Sequence, residues 1–493
     1  MSKYTNNEFR IKKIRNFLIP KIQFMVRKSI LLLLLGFGTL QAFSQDDHYW
    51  TQQFGAVSTV MGGAVVAGVR DNTAIYYNPG ALGFIDHPSL SVDANVYKID
   101  KIFIDDGLGN GVNLNSAQLS IYPQIISGLV NLTKNDRWKF SYALLTRHYT
   151  NVLMDTRYTN SDFDHSDVSP NEKFIGALDY TNQLNEQWLG LGVAYRVNDH
   201  ISIGATMFIS YRAQSYQLTN YYKLIYKGDS TELFGNINID KTLKYKTFSG
   251  LFKFGAAYQT GNWKFGLTLT TPSIQVYGSG DIQREDSFIA IDTAGSGGGY
   301  VIMARKTGIH ATYRRPLSIG FGVEYSSAKT RIALSCEYFT RIKVYHLFEP
   351  QSDPFVYPES IDTGSTHASL ESFLHVQNAS RPVFNIGIGF SQDLSSKFTL
   401  MLGARTDFSS YTEPEEGDNF LHDNAGWDLY HFSAGLSYHQ KRNTVTVGFT
   451  YSFSPAKSID QMDVVIPVSY TGNPVVYAQS FGLVIGYTYF FPK

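Results

Sequence analysis

A two-residue alternation of large apolar and small side chains recurs along most of this chain. Residues 188–196 read Trp-Leu-Gly-Leu-Gly-Val-Ala-Tyr-Arg, and residues 384–391 read Phe-Asn-Ile-Gly-Ile-Gly-Phe-Ser. Because successive side chains of a strand point to opposite faces, each such segment predicts a strand with one apolar face and one face of small residues. The chain is therefore predicted to be all-β.

The composition of the second face favours a membrane barrel over a soluble β-sandwich. A sandwich would turn the apolar face inward and cover the other face with Lys and Glu. Here charged residues make up only 17% of the chain, while aromatic residues reach 15%. Small side chains with a few paired charges suit a crowded lumen, so we predict a barrel with its apolar face toward lipid.

Short polar turns alternate with long polar stretches between the predicted strands. The long stretches lie near 152–173, 223–240, 279–299, 348–373, 412–426 and 455–475. This asymmetry is typical of outer-membrane barrels, which have short periplasmic turns and long external loops. Counting strands gives fourteen, near 89–99, 115–130, 137–151, 174–197, 201–222, 241–259, 263–278, 300–326, 330–347, 374–392, 398–411, 427–439, 444–454 and 476–491. We therefore predict a 14-stranded antiparallel transmembrane β-barrel over residues 88–493.

The N-terminus resembles a secretion signal. A basic region around Arg27 precedes the apolar run from Ile30, and the small-x-small site at Ala42-Phe43-Ser44 predicts cleavage after Ser44. Residues 1–44 are thus assigned to the signal. Either Met25 is the true start or the basic region is unusually long. A transmembrane anchor is the other interpretation of the apolar run, which is shorter than the ~20 residues that a bilayer requires.

Residues 45–87 fit neither a strand nor a flexible linker. The stretch Gly68–Gly83 is too rich in Gly, and too interrupted by Pro79, for a helix or a central strand, yet Ile75, Tyr76 and Leu82 make it apolar. A segment of this kind must be enclosed by other protein. We predict that it forms a hatch, or plug, in the barrel lumen.

The residues of the plug also carry a family resemblance. Asp71-Asn72-Thr73-Ala74-Ile75-Tyr76-Tyr77-Asn78-Pro79-Gly80-Ala81-Leu82 resembles the hatch motif of the FadL/TodX family of outer-membrane transporters. Leu269-Thr270-Thr271-Pro272 and the strand from Pro316 to Tyr325, followed by Glu337-Tyr338-Phe339-Thr340, are similar to less specific segments of that family. The order Gly80-Ala81 is reversed relative to the family, which predicts that the residue with positive φ moves by one position.

The resemblance implies uptake of long-chain fatty acids or similar hydrophobic small molecules by a monomeric barrel in the outer membrane of a Gram-negative cell. Such a ligand would be captured in an outer apolar groove, held in a pocket within the barrel, and released by hatch movement or through an opening in the wall. Outer-membrane lipid would surround the barrel. Asn78, Pro79 and Gly80 are the predicted hatch residues, although a purely structural turn explains them equally well. Apolar loop residues are candidates for capture, and ordinary loop packing is the alternative; they are Leu347, Phe348, Phe355 and Tyr357.

Some cationic residues occupy positions of the alternation that face the lumen, and these are candidates for binding a carboxylate head group. We name Arg147 and Arg405, for which internal ion pairing is the alternative. No spacing of His, Cys or acidic residues suggests a metal or other cofactor, and the balance of 42 basic and 42 acidic residues gives no indication of nucleic acid.

Three other functions compete with transport. Family relatives also serve as outer-membrane components of protein secretion, where a barrel anchors or shuttles exported proteins, and the sequence does not separate the two roles. An enzyme is not expected, because the 12 His residues form no suggestive arrangement with Ser, and His148 has lipid-facing parity. A general porin is disfavoured because the plug leaves little aqueous bore.

Overall fold

The computed structural model describes residues 48–107, 111–130, 136–160, 172–227, 232–292, 297–350, 353–357, 373–412, 426–458 and 474–492. The predicted signal sequence and its cleavage site lie outside these ranges. Among the described residues, no helix has the length and apolarity needed to cross a membrane.

Three short helices precede twenty strands. The helices are α1 (Ala56–Val60), α2 (Ala74–Tyr77) and a 3₁₀-helix (Pro79–Phe84). The strands are β1 (Ser89–Asp105), β2 (Leu114–Val130), β3 (Trp138–Asn160), β4 (Glu172–Arg196), β5 (Ile201–Lys227), β6 (Glu232–Thr260), β7 (Trp263–Thr270), β8 (Ile274–Asp292), β9 (Gly297–Ile309), β10 (Ser318–Ser326), β11 (Thr330–Phe339), β12 (Ile342–Phe348), β13 (Phe355–Tyr357), β14 (Val376–Ser380), β15 (Val383–Asp393), β16 (Phe398–Asp407), β17 (Leu429–His439), β18 (Asn443–Phe453), β19 (Lys457–Ser458) and β20 (Val475–Phe490).

The strands form a closed antiparallel barrel of fourteen staves. Five staves are interrupted, so that two strands share one stave in the pairs β7/β8, β9/β10, β11/β12, β14/β15 and β18/β19. The three-residue β13 adds to the edge of β9 and is not counted as a stave. Strand β6 shows this directly, because its end near the periplasm pairs with β7 and its other end pairs with β8. The last strand, β20, pairs with β1 and closes the barrel. The predicted count of fourteen is confirmed.

The apolar face of the strands points outward. Leu191, Ile203 and Phe449 are 60%, 50% and 66% exposed, whereas the alternating residues Ser202 and Thr206 are fully buried in the lumen. A continuous apolar exterior on a closed barrel is the surface that a lipid bilayer covers. The barrel is therefore an outer-membrane protein, and the soluble sandwich is excluded.

The strands run farther than the sequence predicted. Polar stretches near 223–240 and 279–299 were expected to be long loops, but β5 continues to Lys227 and β6 begins at Glu232, while β8 continues to Asp292. That expectation is wrong. Strands of 27 and 29 residues, as in β5 and β6, exceed the ~9–11 that cross a bilayer, so the outward face of their outer ends lies beyond the lipid and becomes polar without ending the strand.

Residues 48–88 fill the lumen as a plug. Phe54, Val60 and Leu82 are fully buried and belong to one apolar cluster with wall residues such as Trp188 and Phe208. The plug contains two helices of five and four residues, too short to be stable alone, so its conformation depends on the wall that surrounds it.

Glycines on the lumenal face allow the plug backbone to approach the wall. At Gly403 an added Cβ would lie 2.2 Å from Gly62 N, and at Gly255 it would lie 2.2 Å from Asn78 Oδ1. The plug backbone approaches other lumenal glycines equally closely, namely Gly204, Gly266, Gly322, Gly387 and Gly389. The small lumenal face predicted from the sequence is therefore the surface on which the plug rests.

We expect Gly255→Ala to displace the plug turn, because the added methyl group would overlap the Asn78 side chain. Overpacking of this kind costs about 1–3 kcal/mol of stability. The measurement is sensitivity of cells to a hydrophilic antibiotic that an intact plug excludes, together with thermal unfolding of the purified barrel. Gly298→Ala is the matched control, since its Cβ would meet no atom within 4 Å. Equal behaviour of the two variants would contradict the packing argument.

Candidate functional site

The Asn78-Pro79-Gly80 turn joins the plug to the barrel wall. Asn78 is fully buried, and its Oδ1 accepts a hydrogen bond from Gly80 N at 3.0 Å, which caps the 3₁₀-helix that Pro79 begins. Its Nδ2 donates to the carbonyl oxygens of Val66, at 2.8 Å, and of Ala256 on β6, at 3.1 Å. One side-chain amide thus connects two parts of the plug with one strand of the wall.

The reversed order Gly80-Ala81 does not move a left-handed residue. Among the described residues, the positive φ angles of the plug belong to other glycines, such as Gly55 and Gly62. The expectation of a shifted positive φ is therefore wrong. Gly80 is required for space instead, because a Cβ there would lie 2.7 Å from the carbonyl oxygen of Gly255.

Residues 48–53, called the strap here, form the first part of the plug. The Tyr77 hydroxyl accepts a hydrogen bond from Phe54 N and donates one to Gln53 Oε1, both at 2.9 Å. Gln53 Nε2 in turn donates to the carbonyl of Trp50 at 3.0 Å. Burial raises the pKa of the Tyr77 phenol, which therefore stays neutral and makes both hydrogen bonds.

The two predicted head-group cations both contact the strap. Arg405 Nε and Nη2 donate to the carbonyl oxygens of Trp50, at 3.1 Å, and Thr51, at 3.0 Å. Arg147 Nη2 donates to the carbonyl oxygen of Tyr49 at 2.8 Å. Both guanidinium groups hold the strap in this conformation, and a role in binding a head group stays a prediction.

Two carboxylates complete the anchoring of the strap. Asp407 is fully buried and accepts hydrogen bonds from Trp50 N, at 2.9 Å, and from Thr51 Oγ1, at 2.8 Å. Glu337 accepts from Trp50 Nε1 at 2.8 Å. The strap is thus held through its backbone and its side chains by groups on different barrel strands, which together fix its position in the lumen.

Four buried or largely buried cations, called the cation cluster here, lie in the lumen near Trp188 and Glu186. They are Arg147, Arg212, Lys253 and Arg315. The guanidinium carbons of Arg147 and Arg315 lie 5.6 and 5.2 Å from the Trp188 ring centre, within the range of cation–π attraction. Arg147, Lys253 and Arg315 line one small pocket.

Two carboxylates partly balance this charge. Glu186 is fully buried and accepts hydrogen bonds from Arg212 Nη1, at 3.0 Å, and Arg315 Nε, at 3.1 Å. Glu337 Oε1 lies 4.0 Å from Lys253 Nζ. Within this group of described residues, four cations thus lie near two carboxylates, and three of the cations line the pocket with Glu337.

A larger cavity of about 170 Å³ lies on the side of the lumen formed by β1, β3, β4, β17, β18 and β20. His48 and Thr51 of the strap form part of its boundary. Most of its walls are apolar, including Ile102, Val152, Met154, Leu184, Trp427 and Leu429. A cavity of about 150 Å³ with apolar walls is large enough for benzene, so this one accommodates a compact hydrophobic group.

The barrel wall is not continuous beside the cavity. Strands β2 and β3 pair only between residues 125–130 and 140–145. Beyond that point β2 continues on β1, and β3 continues on β4. The part of β2 that does not pair with β3 includes Pro123, which has no N–H to donate to a strand ladder. The upper halves of β2 and β3 therefore border a gap in the hydrogen-bonded wall.

Side chains close this gap in the present conformation. Tyr122 stacks on Tyr149 with ring centres 5.0 Å apart, and Asn151 Nδ2 lies 3.4 Å from Gln118 Oε1. Tyr149, Asn151 and the adjacent Val152 also line the cavity. Only side-chain contacts, rather than a strand ladder, thus separate the cavity from the wall gap.

The four predicted capture residues divide into two pairs. Leu347 and Phe348 are almost fully buried, and Phe348 packs edge-on against Tyr245 with 6.3 Å between the two ring centres. They belong to β12, which pairs with β14 in a separate two-stranded sheet. Phe355 and Tyr357 are 59% and 62% exposed on β13, which adds to the edge of β9. The structure does not bring the four together in one groove, and their role in capture stays a prediction.

One sequence-based assignment fails because of a bulge. The register of β3 and β4 shifts between Thr146 and His148, so one extra residue on β3 reverses the alternation beyond it. His148 is 3% exposed and lines the cavity, and its predicted lipid-facing position is wrong. No feature of the local sequence marks this bulge.

Other lumenal groups were missed for different reasons. Glu186 shares the parity of Trp188 and Gly190 on β4, and extending the alternation by one step would have found it. Arg315 lies in the segment between β9 and β10, where no alternation exists to be followed. Among the described residues, no group of three or more His, Cys, Asp or Glu is arranged to hold a metal ion.

Several solved structures share this architecture. A Pseudomonas aeruginosa FadL homologue aligns with a TM-score of 0.54 and 12% identity, covering 90% of this chain and all of that one. The Pseudomonas putida toluene transporter TodX aligns with a TM-score of 0.54 and 14% identity, covering 92% of this chain and all of that one. The Ralstonia pickettii toluene transporter TbuX aligns with a TM-score of 0.52 and 13% identity, covering 89% of this chain and 98% of that one. No family model and no curated protein matches the sequence.

We expect Asn78→Ala to loosen the plug. It removes the cap of the 3₁₀-helix and leaves two buried carbonyls without their partner. Each unsatisfied group lowers the free energy of unfolding by about 1–3 kcal/mol. Asn78→Asp keeps the oxygen that caps the 3₁₀-helix but loses both N–H donors. It should therefore also lower the thermal stability, by less than Asn78→Ala does. The exposed Asn262→Ala in a periplasmic turn is the matched control. Unchanged stability in both Asn78 variants would show that the amide does not hold the plug.

Proposed function

We propose that this barrel, which has the fold of the FadL and TodX transporters, takes up hydrophobic small molecules across the outer membrane. The observation that carries the proposal is the apolar cavity inside a plugged lumen, which suits a ligand that avoids water. Such a ligand does not require a wide water-filled channel. Two of the structural neighbours, TodX and TbuX, are toluene transporters, so transport rather than catalysis is the main activity proposed.

The cation cluster supports a fatty acid as one such ligand. Its excess of positive charge, next to the Trp188 ring, favours a carboxylate by charge-assisted hydrogen bonds, while the alkyl chain packs on apolar walls. Arg147 belongs to this cluster and stays our head-group candidate. Arg405 would take that role only after releasing the carbonyls of Trp50 and Thr51.

Two exits are available to a bound ligand. The gap between β2 and β3 would release it sideways into lipid once the Tyr122–Tyr149 contact opens. Movement of the Asn78-Pro79-Gly80 turn would release it toward the periplasm. We propose capture by the exposed apolar side chains of β13 outside and by the buried ones of β12 inside, with hatch movement as the final step.

The same geometry supports a monomer embedded in lipid. One chain closes the whole barrel through the pairing of β1 with β20, so each copy contains a complete lumen. The outward apolar side chains then contact outer-membrane lipid rather than a second subunit.

A charge-removal experiment tests the head-group proposal. Lys253→Met should lower uptake of a labelled long-chain fatty acid about tenfold, the loss expected for one charge-assisted hydrogen bond, and should leave a neutral hydrocarbon unaffected. Lys253 does not contact the strap, unlike Arg147, so the result reports on the ligand. Lys246→Met on the same strand is the matched control, because that side chain is exposed. Equal losses for the acid and the hydrocarbon would sink the proposal.

A cross-linking experiment tests the lateral exit. Cysteines replacing Gln118 and Asn151, in a Cys336→Ser background, should react with a short reducible linker, block uptake, and regain it after reduction. The control pair replaces Thr219 and Asp240, which face each other on the continuous ladder of β5 and β6. Uptake that persists with the 118–151 bridge in place would exclude the gap as the exit.

A further inference from the structure

A serine in the cavity is hydrogen-bonded to a buried histidine. Ser452 lies on β18, and His431 lies directly opposite it on β17. The Ser452 Oγ is 2.5 Å from His431 Nδ1, and both residues line the cavity of about 170 Å³. A hydroxyl within hydrogen-bond reach of an imidazole is the basic unit of an activated nucleophile.

A carboxylate lies behind the imidazole. Asp407 Oδ2 is 3.8 Å from His431 Nε2, which has no hydrogen-bond partner. The carboxylate favours the tautomer with the proton on Nε2, since a lone pair there would face negative charge. Nδ1 is then left as the acceptor of the Ser452 proton. A distance of this length is common in resting sites, whose hydrogen bonds shorten when the substrate is bound.

The strap fixes the carboxylate in this position. Trp50 N and Thr51 Oγ1 donate to the two Asp407 oxygens at 2.9 and 2.8 Å, and Asp407 is fully buried. Ser452 is 8% exposed, while His431 and Asp407 are 3% and 0% exposed. All three side chains are thus buried, and the orienting carboxylate is the least accessible, as the buried Asp of a Ser-His-Asp triad is.

The cavity also supplies hydrogen-bond donors. Ser480 on β20 lies directly opposite Ser452, and Lys98 on β1 lines the same space, where its ammonium group pairs with Asp100 at 2.9 Å. Both carry hydrogen-bond donors and line the same cavity as Ser452. The apolar walls provide room for a compact acyl or aryl group.

We propose that Ser452 is a nucleophile that cleaves small hydrophobic carboxylic esters, with His431 as its base and Asp407 as a positioning residue. Ser452 Oγ forms a bond to the ester carbonyl carbon, and its proton passes to His431 Nδ1. The ester C–O bond breaks, and the leaving oxygen takes that proton and departs as an alcohol. Water then attacks the acyl-serine with the same base, which releases a carboxylic acid and restores the serine.

Covalent labelling of the purified full-length barrel in detergent tests the proposal. A fluorophosphonate probe should label the protein, and peptide mass analysis should locate the label at Ser452. Ser452→Ala should lose the label and the hydrolysis of p-nitrophenyl butyrate. Ser437→Ala is the matched control, since that serine makes a similar hydrogen bond, to Thr446 at 2.7 Å, and does not line the cavity. Absence of label at Ser452, or hydrolysis that survives in Ser452→Ala, would overturn the proposal.

Two further variants separate the base from the positioning residue. His431→Gln should lower the rate about 10²–10⁴-fold at constant fold, as loss of a general base does. Asp407→Asn should shift the acid limb of the pH–rate profile to lower pH, because a neutral neighbour no longer stabilises the protonated imidazole. An unshifted profile in a folded Asp407→Asn barrel would remove Asp407 from the mechanism. Fatty-acid uptake is measured separately, so failure of transport and failure of hydrolysis give different results.

Discussion

Close contact between two stretches of backbone, without side chains between them, is the constraint on which this barrel depends. Gly62 of the plug meets the wall where Gly403 lies, and the Asn78–Gly80 turn meets it at Gly204 and Gly255. Any larger residue on either side would separate the surfaces and leave carbonyls and amides of the plug without partners. Packing and hydrogen bonding are therefore satisfied together or lost together.

The charged groups of the lumen fall into two functional sets. Arg405 and Asp407 are occupied with the strap, whereas the cation cluster around Trp188 retains more positive than negative charge. Arg147 belongs to both, since it holds Tyr49 and contacts the indole. A ligand that competes for Arg147 would therefore weaken one of the bonds that hold the strap.

Features that arise from patterns repeated along the chain could be predicted from the sequence. Two-residue alternation gave the strand number, the outward apolar face and the small lumenal face, and the Gly-rich apolar stretch identified the plug. Features caused by single irregularities could not be predicted. The bulge between Thr146 and His148 reverses the parity without a local signal, and the polar outer ends of β5 and β6 look like loops. The pairing of Ser452 with His431 depends on the register of two strands, which alternation alone does not determine.

The length of β5 and β6 has a consequence for where uptake begins. Twenty-nine residues at roughly 3.3 Å each give a stave of roughly 95 Å, or roughly 70 Å in height at the usual tilt. Only about 25 Å of this is needed for the apolar band. The remainder forms a wall that stands clear of the lipid surface. The lumen that this wall encloses therefore begins well outside the bilayer.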